Sequence, residues 1–209
     1  MIVVGLTGSI AMGKSETARM FRSLGVPVFD SDAEVHRLYN RGGAAVVAVA
    51  GLFPAAVVDG AVDRQALSMH VTGDPVALQR LEAVVHPMVE EAQRQFLDQC
   101  RSKGHDVVVL DIPLLFETGR EGEVGVIVVV SAPPKMQRAR ALWRSGMTAG
   151  KFEAILARQS SDSDKRRRAD FVVDSSQGYD HALAQVRNIM VTLRGGKDAG
   201  TDARSDPRH

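Results

Sequence analysis

The sequence predicts an α/β fold in which a five-stranded parallel sheet is flanked by helices. Three observations carry this. Five short runs are apolar along nearly their whole length instead of alternating, the pattern of strands buried on both faces. The first of them opens into a glycine-rich loop followed by helical spacing, which starts a βαβ unit. The long stretch 33–104 lacks such runs and reads as mainly helical, with interruptions at Gly42-Gly43, Pro54, Gly60, Gly73 and Pro75.

In chain order, Ile2 to Leu6 is the first strand, and Ala18, Phe21 and Arg22 space a helix from Ser15 to near Gly25. Val26-Pro27-Val28-Phe29 is a second strand running into Asp30-Ser31-Asp32. The last helix of the insert is expected to begin at Pro87, since proline suits a first turn, and to end at Gly104. Asp106 to Asp111, Val124 to Val130 and Phe171 to Asp174 supply the remaining strands. Helices are expected over Gln137 to Arg144 and Thr148 to Gln159, then a basic run from Lys165 to Arg168. Tyr179, Ala182, Leu183, Val186, Met190 and Leu193 space a closing helix, and residues 195–209, without a large apolar side chain, are expected to form a disordered tail.

The 209 residues suffice for one large domain with insertions, and 44% hydrophobic residues can fill a core. Lys and Arg number 26 against 25 Asp and Glu, so the net charge of +1 exerts no general pull on nucleic acid or an anionic membrane. One Trp and two Tyr leave little for base stacking. The longest apolar runs fall far below the ~18 residues of a membrane span. Cys100 is the lone cysteine and no leader pattern opens the chain, so a cytoplasmic monomer is the expectation.

Gly8-Ser9-Ile10-Ala11-Met12-Gly13-Lys14-Ser15 matches the phosphate-binding loop G-x-x-x-x-G-K-[ST] between a strand and a helix. Successive backbone N–H groups and the helix N-terminus there face an anion, Lys14 reaches the β and γ phosphates, and the Ser15 hydroxyl binds Mg²⁺. A plain βα turn is the alternative; a chance match in such a chain is on the order of one in a hundred. Asp30 and Asp32 follow the second strand, where either can cap the next helix or serve as a base. Asp111 ends an apolar strand, the arrangement that brings a carboxylate beside a phosphate loop and its metal. Arg138, Arg140 and Arg144 share one helix, with Arg140 and Arg144 on one face; they read as a solvated face or a phosphate clamp. Lys165 to Arg168 reads as a solvated run near an adenine position, Pro113 to Phe116 as packing, and His86 as a residue near a helix N-cap. From Arg138 to Arg168 nine bases face three acids, a local excess of six. The histidines have no ligand spacing, which leaves Mg²⁺ arriving with a nucleotide as the inferred metal.

With these residues in place the chain resembles the dephospho-coenzyme A kinase family, P-loop enzymes that use ATP to phosphorylate the ribose 3′-hydroxyl of dephospho-CoA in the last step of coenzyme A synthesis. The resemblance runs from Leu6-Thr7-Gly8 through Lys14-Ser15, Leu24 to Asp32, Asp63-Arg64 with Leu67, and His86-Pro87. It continues through Asp111 to Glu117, Gln137 to Arg140, Ile155 to Gln159 and Ala169 to Val173.

The resemblance implies a P-loop kinase fold with a nucleotide-binding core (residues 1–32, 90–116 and 152–194), a helical CoA-binding insert (33–89) and a helical lid (117–151). It implies Asp32 as base and Lys14 and Arg140 on the phosphates. ATP would lie against Gly8, Ala11, Met12, Gly13, Lys14, Ser15 and Glu16, with Arg138, Arg140 and Arg144 in the lid. The acceptor would meet Asp32, Arg64, His86 and Leu115, and Mg²⁺ would meet Ser15 and, through water, Asp111. The loop departs from the family pattern at Ser9, Ala11, Met12 and Glu16, and the segment Asp174 to Gly178, with Ser175, replaces a family Asn. A nucleoside or nucleotide monophosphate kinase shares the core, insert and arginine lid. A GTPase-type or non-catalytic module is disfavoured, because no Asn-Lys-x-Asp motif occurs.

Overall fold

The computed structural model describes residues Met1–Gly195, so the tail expectation falls outside the described residues except at Gly195, which ends the last helix. Its elements are β1 (Ile2–Thr7), α1 (Lys14–Ser23), β2 (Val28–Asp30), α2 (Ser31–Tyr39), α3 (Ala45–Leu52), β3 (Val57–Val58), β4 (Ala61–Val62) and α4 (Arg64–Val71). They continue with α5 (Pro75–Ser102), β5 (Val107–Asp111), β6 (Val126–Ser131), α6 (Pro134–Leu142), α7 (Ala149–Leu156), α8 (Asp162–Arg168), β7 (Phe171–Asp174) and α9 (Tyr179–Gly195). Two compact units result: Met1–Val28 with the described residues from Arg101 onward, and Phe29–Cys100.

The sheet order is β2-β5-β1-β6-β7, and β1 pairs in parallel with both β5 and β6. The five expected apolar runs are the five strands. Alternate residues Val4, Leu6, Val107, Val109, Val128, Val130 and Val173 pack under Ala18 and Phe21 of α1 and Val186 and Met190 of α9. The near-continuous apolar character of these strands reflects cover on both faces. Register decides where chemistry can gather: Leu6 lies level with Asp111, and Ser131 with Asp174. The loop after β1, the carboxylate ending β5 and the segment after β7 therefore emerge along one sheet edge, the carboxyl edge where parallel sheets bind ligands.

The second unit has its own core, in which Leu38, Val49, Phe53, Leu67, Leu81 and Val85 are buried together. Two expectations are corrected here. The insert contains a two-stranded antiparallel hairpin, Val57–Val58 with Ala61–Val62, turned by Asp59 (φ 51°) and Gly60 (φ 75°). An Asp-Gly turn with both φ values positive matches strand twist, so Gly60 is a turn residue instead of a helix break. The last helix begins at Pro75, not Pro87. Asp74 caps it, its carboxylate accepting from the N–H groups of Val76 and Ala77, each at 3.0 Å. Pro87 sits inside the 28-residue α5. It removes one backbone bond, and buried Leu81 and Val85 on the turns before it hold the helix through that defect.

No helix among the described residues is long and apolar enough to cross a membrane.

Candidate active site

The loop after β1 is shaped by its backbone. A Cβ on Gly8 would lie 2.7 Å from the carbonyl oxygen of Val130, so the loop can press against β6 only without a side chain. Gly8→Ala is accordingly expected to cost about 1–3 kcal/mol, read as a lowered chemical-denaturation midpoint; an unchanged midpoint would refute the steric reading. Gly13 (φ 100°) precedes the first turn of α1, and Ala11 holds a left-handed φ of 62°. The Met12 N–H donates to Ser9 O and the Glu16 N–H to Gly13 O. Among the described residues none accepts from the N–H of Ala11, Gly13, Lys14 or Ser15. Those donors, with the positive end of the α1 dipole, form an anion cradle.

Lys14 Nζ forms an ion pair with the Asp111 carboxylate, which is only 3% exposed at the end of β5. Ser15, next along, is exposed. A hydroxyl with one carboxylate fits Mg²⁺, which keeps waters and takes its other ligands from substrate phosphates. No group of three His, Cys, Asp or Glu side chains able to hold a metal by itself occurs among the described residues.

Beside the loop lies a cleft of about 290 Å³ lined by Gly13, Glu16, Arg140, Arg144, Ser175 and Tyr179, among others. Arg140, on α6, and Arg144 both line it, but the helix expected to run to Arg144 ends at Leu142, so the turn after α6, not a shared helical face, brings Arg144 there. Arg140 donates to Ser175 Oγ and Ser175 O, each at 2.8 Å, and Ser175 Oγ donates to Met12 O at 2.6 Å. Arg138 points elsewhere: it pairs with Glu153 of α7 at 3.0 Å, pinning the two helices together.

Arg166, Arg167 and Arg168 of the basic run are exposed, as the solvated reading expects, but Lys165 is not. The run lies on α8, and Lys165 is 0% exposed, paired with Glu117 at 2.8 Å. Arg168 pairs with Glu121 and lies 4.4 Å over the ring of Phe116, while Arg167 pairs with Asp164. Burial pushes the Glu117 carboxyl up, but the Lys165 ammonium and the N–H groups of Glu117 and Ser160 outweigh it and hold it below the usual carboxylate range. Leu115, expected at the acceptor, has no exposed surface and packs toward Gly5; it and Phe116 are buried as the packing reading of Pro113 to Phe116 expects, whereas Leu114 is 42% exposed.

In the second unit Asp30 is the N-cap of α2, accepting from the Ala33 N–H at 2.9 Å, and Asp32 stands exposed in the first turn. Arg64 opens α4 after its cap Asp63, and its charge offsets part of the upward push that burial gives the Tyr39 hydroxyl. His86 is exposed in the middle of α5 instead of at a helix start.

With the geometry in place, the dephospho-CoA kinase family model matches residues 2–181. The chain belongs to the dephospho-CoA kinase family. The dephospho-CoA kinase of Mesorhizobium japonicum is 54% identical over 195 residues, covering 93% of this chain and 98% of that one. That of Agrobacterium fabrum is 51% identical, covering 92% and 98%. Among solved structures, TT1252 of Thermus thermophilus superposes with a TM-score of 0.78 at 36% identity, over 91% of this chain and 96% of that one. Shikimate kinase of Acinetobacter baumannii, at 17% identity and a TM-score of 0.52 over 94% and 95%, shares the P-loop kinase fold.

Within this dephospho-CoA kinase family chain, three polar residues beside the loop escaped the sequence reading as contributors: Ser175, Gln137 and Gln159. In the sequence Ser175 marks only a departure from the family pattern, and the two glutamines lie within segments that match it. Their role is visible only through partners more than a hundred residues away along the chain: Gln137 donates to Ile10 O at 2.9 Å, and the Ile10 N–H donates to Gln159 Oε1 at 3.1 Å.

Proposed function

We propose that this chain transfers the γ-phosphoryl group of ATP to the ribose 3′-hydroxyl of dephospho-CoA, giving coenzyme A and ADP. The observation that carries the reading is a complete phosphate loop between β1 and α1 in a member of the dephospho-CoA kinase family. In this reading the N–H groups of Ala11, Gly13, Lys14 and Ser15 hold the nucleotide phosphates. Lys14 leaves Asp111 to follow the β and γ phosphates. Ser15 and Asp111, the latter through water, hold Mg²⁺, which neutralises phosphate charge when bound. Arg140 and Arg144 cover the nucleotide, and Gly8, Met12 and Glu16 complete its contacts as loop and helix-start residues. Asp32 is the carboxylate that accepts the hydroxyl proton while the acceptor O–P bond forms and the β–γ bridging bond breaks, a reading supported by the family resemblance and consistent with Asp30 being engaged as a helix cap. Arg64 and His86 shape the acceptor site. Residues 33–89 act as the CoA-binding insert; of the expected lid 117–151, β6 (Val126–Ser131) is a strand of the core sheet, which leaves the stretch after it, 132–151, to act as the lid and the remaining described segments as the core.

The buried thiol of Cys100 suits a cytoplasmic enzyme, which we read as a monomer. A coupled ADP-release assay offering dephospho-CoA, AMP, CMP, UMP and adenosine tests the substrate. Turnover with dephospho-CoA is expected, and turnover confined to the monophosphates would overturn the proposal.

A further inference from the structure

We infer that Gln137 and Gln159 are positioning residues that brace the phosphate loop at Ile10. Ala11 sits at φ 62°, a left-handed conformation that is unfavourable for an L-residue and persists only where its surroundings impose it. The imposing contacts are specific. The peptide group before Ile10 donates its N–H to Gln159 Oε1 at 3.1 Å, and the carbonyl of Ile10 accepts from Gln137 Nε2 at 2.9 Å. The methyl of Ala11 is buried with Ala141 and Phe152, with Ile10, Met147 and Leu156 packed around them. Both backbone groups flanking Ile10 are therefore held immediately before the strained residue, one by an acceptor and one by a donor. The Ile10 N–H is turned out of the anion cradle, so the neighbouring N–H of Ala11 is aimed by what Ile10 is tied to.

The ties come from the arginine-bearing segment. Gln137 lies on α6 with Arg138 and Arg140, and Gln159 follows α7, its next residue anchored by the Ser160 N–H to Glu117 Oε1 at 2.8 Å. The loop is thus tied to the same segment that carries Arg140, on α6, and Arg144, in the turn between α6 and α7. This inference rests on the proposed ATP site but not on the identity of the acceptor.

The test compares Gln137→Leu, Gln159→Leu, Gln137→Glu and Gln159→Glu, with ATP affinity read by calorimetric titration without acceptor and kcat and both KM values read in turnover. Each Leu variant removes one hydrogen bond and is expected to weaken ATP binding about two- to tenfold with the KM for dephospho-CoA unchanged. The two Glu variants place the same charge beside the same residue but differ in what they preserve. Gln159→Glu retains an acceptor for the Ile10 N–H, whereas Gln137→Glu turns a carboxylate on the Ile10 carbonyl and is expected to lose markedly more ATP affinity. Equal losses in the two Glu variants, or unchanged ATP affinity in both Leu variants at wild-type thermal midpoint, would overturn the brace. Wild-type protein that binds ATP but transfers nothing to dephospho-CoA would overturn the substrate reading alone, leaving the titration to decide the brace.

Discussion

Replacing Asp32 by asparagine is expected to lower kcat by about 10²- to 10⁴-fold while ATP binding persists, because a positioned base contributes on that order and Asn cannot take the proton. Asn keeps the size and much of the hydrogen bonding of Asp, so substrate orientation is little disturbed and the loss is assigned to proton transfer. The neighbouring carboxylate provides the control. Asp30 accepts the Ala33 N–H as the cap of α2, and Asn caps as well as Asp, so Asp30→Asn is expected to retain most activity. Steady-state kinetics with a parallel ATP titration on both variants decide between them. If Asp30→Asn were the inactive protein and Asp32→Asn the active one, the base assignment would have to be exchanged.

The second large effect concerns stability. Lys165 has no exposed surface and its pairing with Glu117 joins α8 to the segment after β5. Breaking a buried pair from one side strands the other charge, at a cost of about 3–5 kcal/mol. Glu117→Gln and Lys165→Met are each expected to lose that much, a fall in Tm of roughly 10 °C for a chain of this size. The double variant Glu117→Leu with Lys165→Met should recover part of it, since an apolar pair leaves no stranded charge, although it frees the Ser160 N–H that Glu117 accepts. Single variants within about 1 kcal/mol of wild type would mean that water reaches the pair. Acid supplies an independent reading. Because the folded-state pKa of Glu117 is depressed, its contribution is present above the ordinary carboxylate pKa and is lost as pH falls through the depressed value. Thermal melts of wild type should drop more steeply below about pH 4 than those of Glu117→Gln, and parallel curves would contradict the assignment.

The elements legible from the sequence were those whose signal is local. Five apolar runs became five strands, and the glycine-lysine-serine pattern became a strand, loop and helix N-terminus. The Asp59-Gly60 hairpin and the Asp74-Pro75 helix start were written just as locally, yet a reading that treated each Gly or Pro as an interruption passed over them. Pro87 shows the limit of such punctuation: a helix anchored by Leu81 and Val85 on the preceding turns runs through it.

Charge was where counting along the chain misled most. Nine bases against three acids between Arg138 and Arg168 amount to a local excess of six along the chain. In space Lys165 meets Glu117 and Arg168 meets Glu121, two acids from outside that window, while Arg140 and Arg144 remain at the cleft. The order of residues determined the fold class, the phosphate loop and the family, because backbone periodicity and loop chemistry act over a few neighbouring residues. Only the tertiary structure decided which arginines line the cleft beside the loop, that Asp30 caps while Asp32 stands exposed, and that Gln137 and Gln159 grip Ile10. Parallel strands are joined by long crossovers, so the side chains that meet at their carboxyl edge come from distant segments, and no local pattern records which of them will be partners.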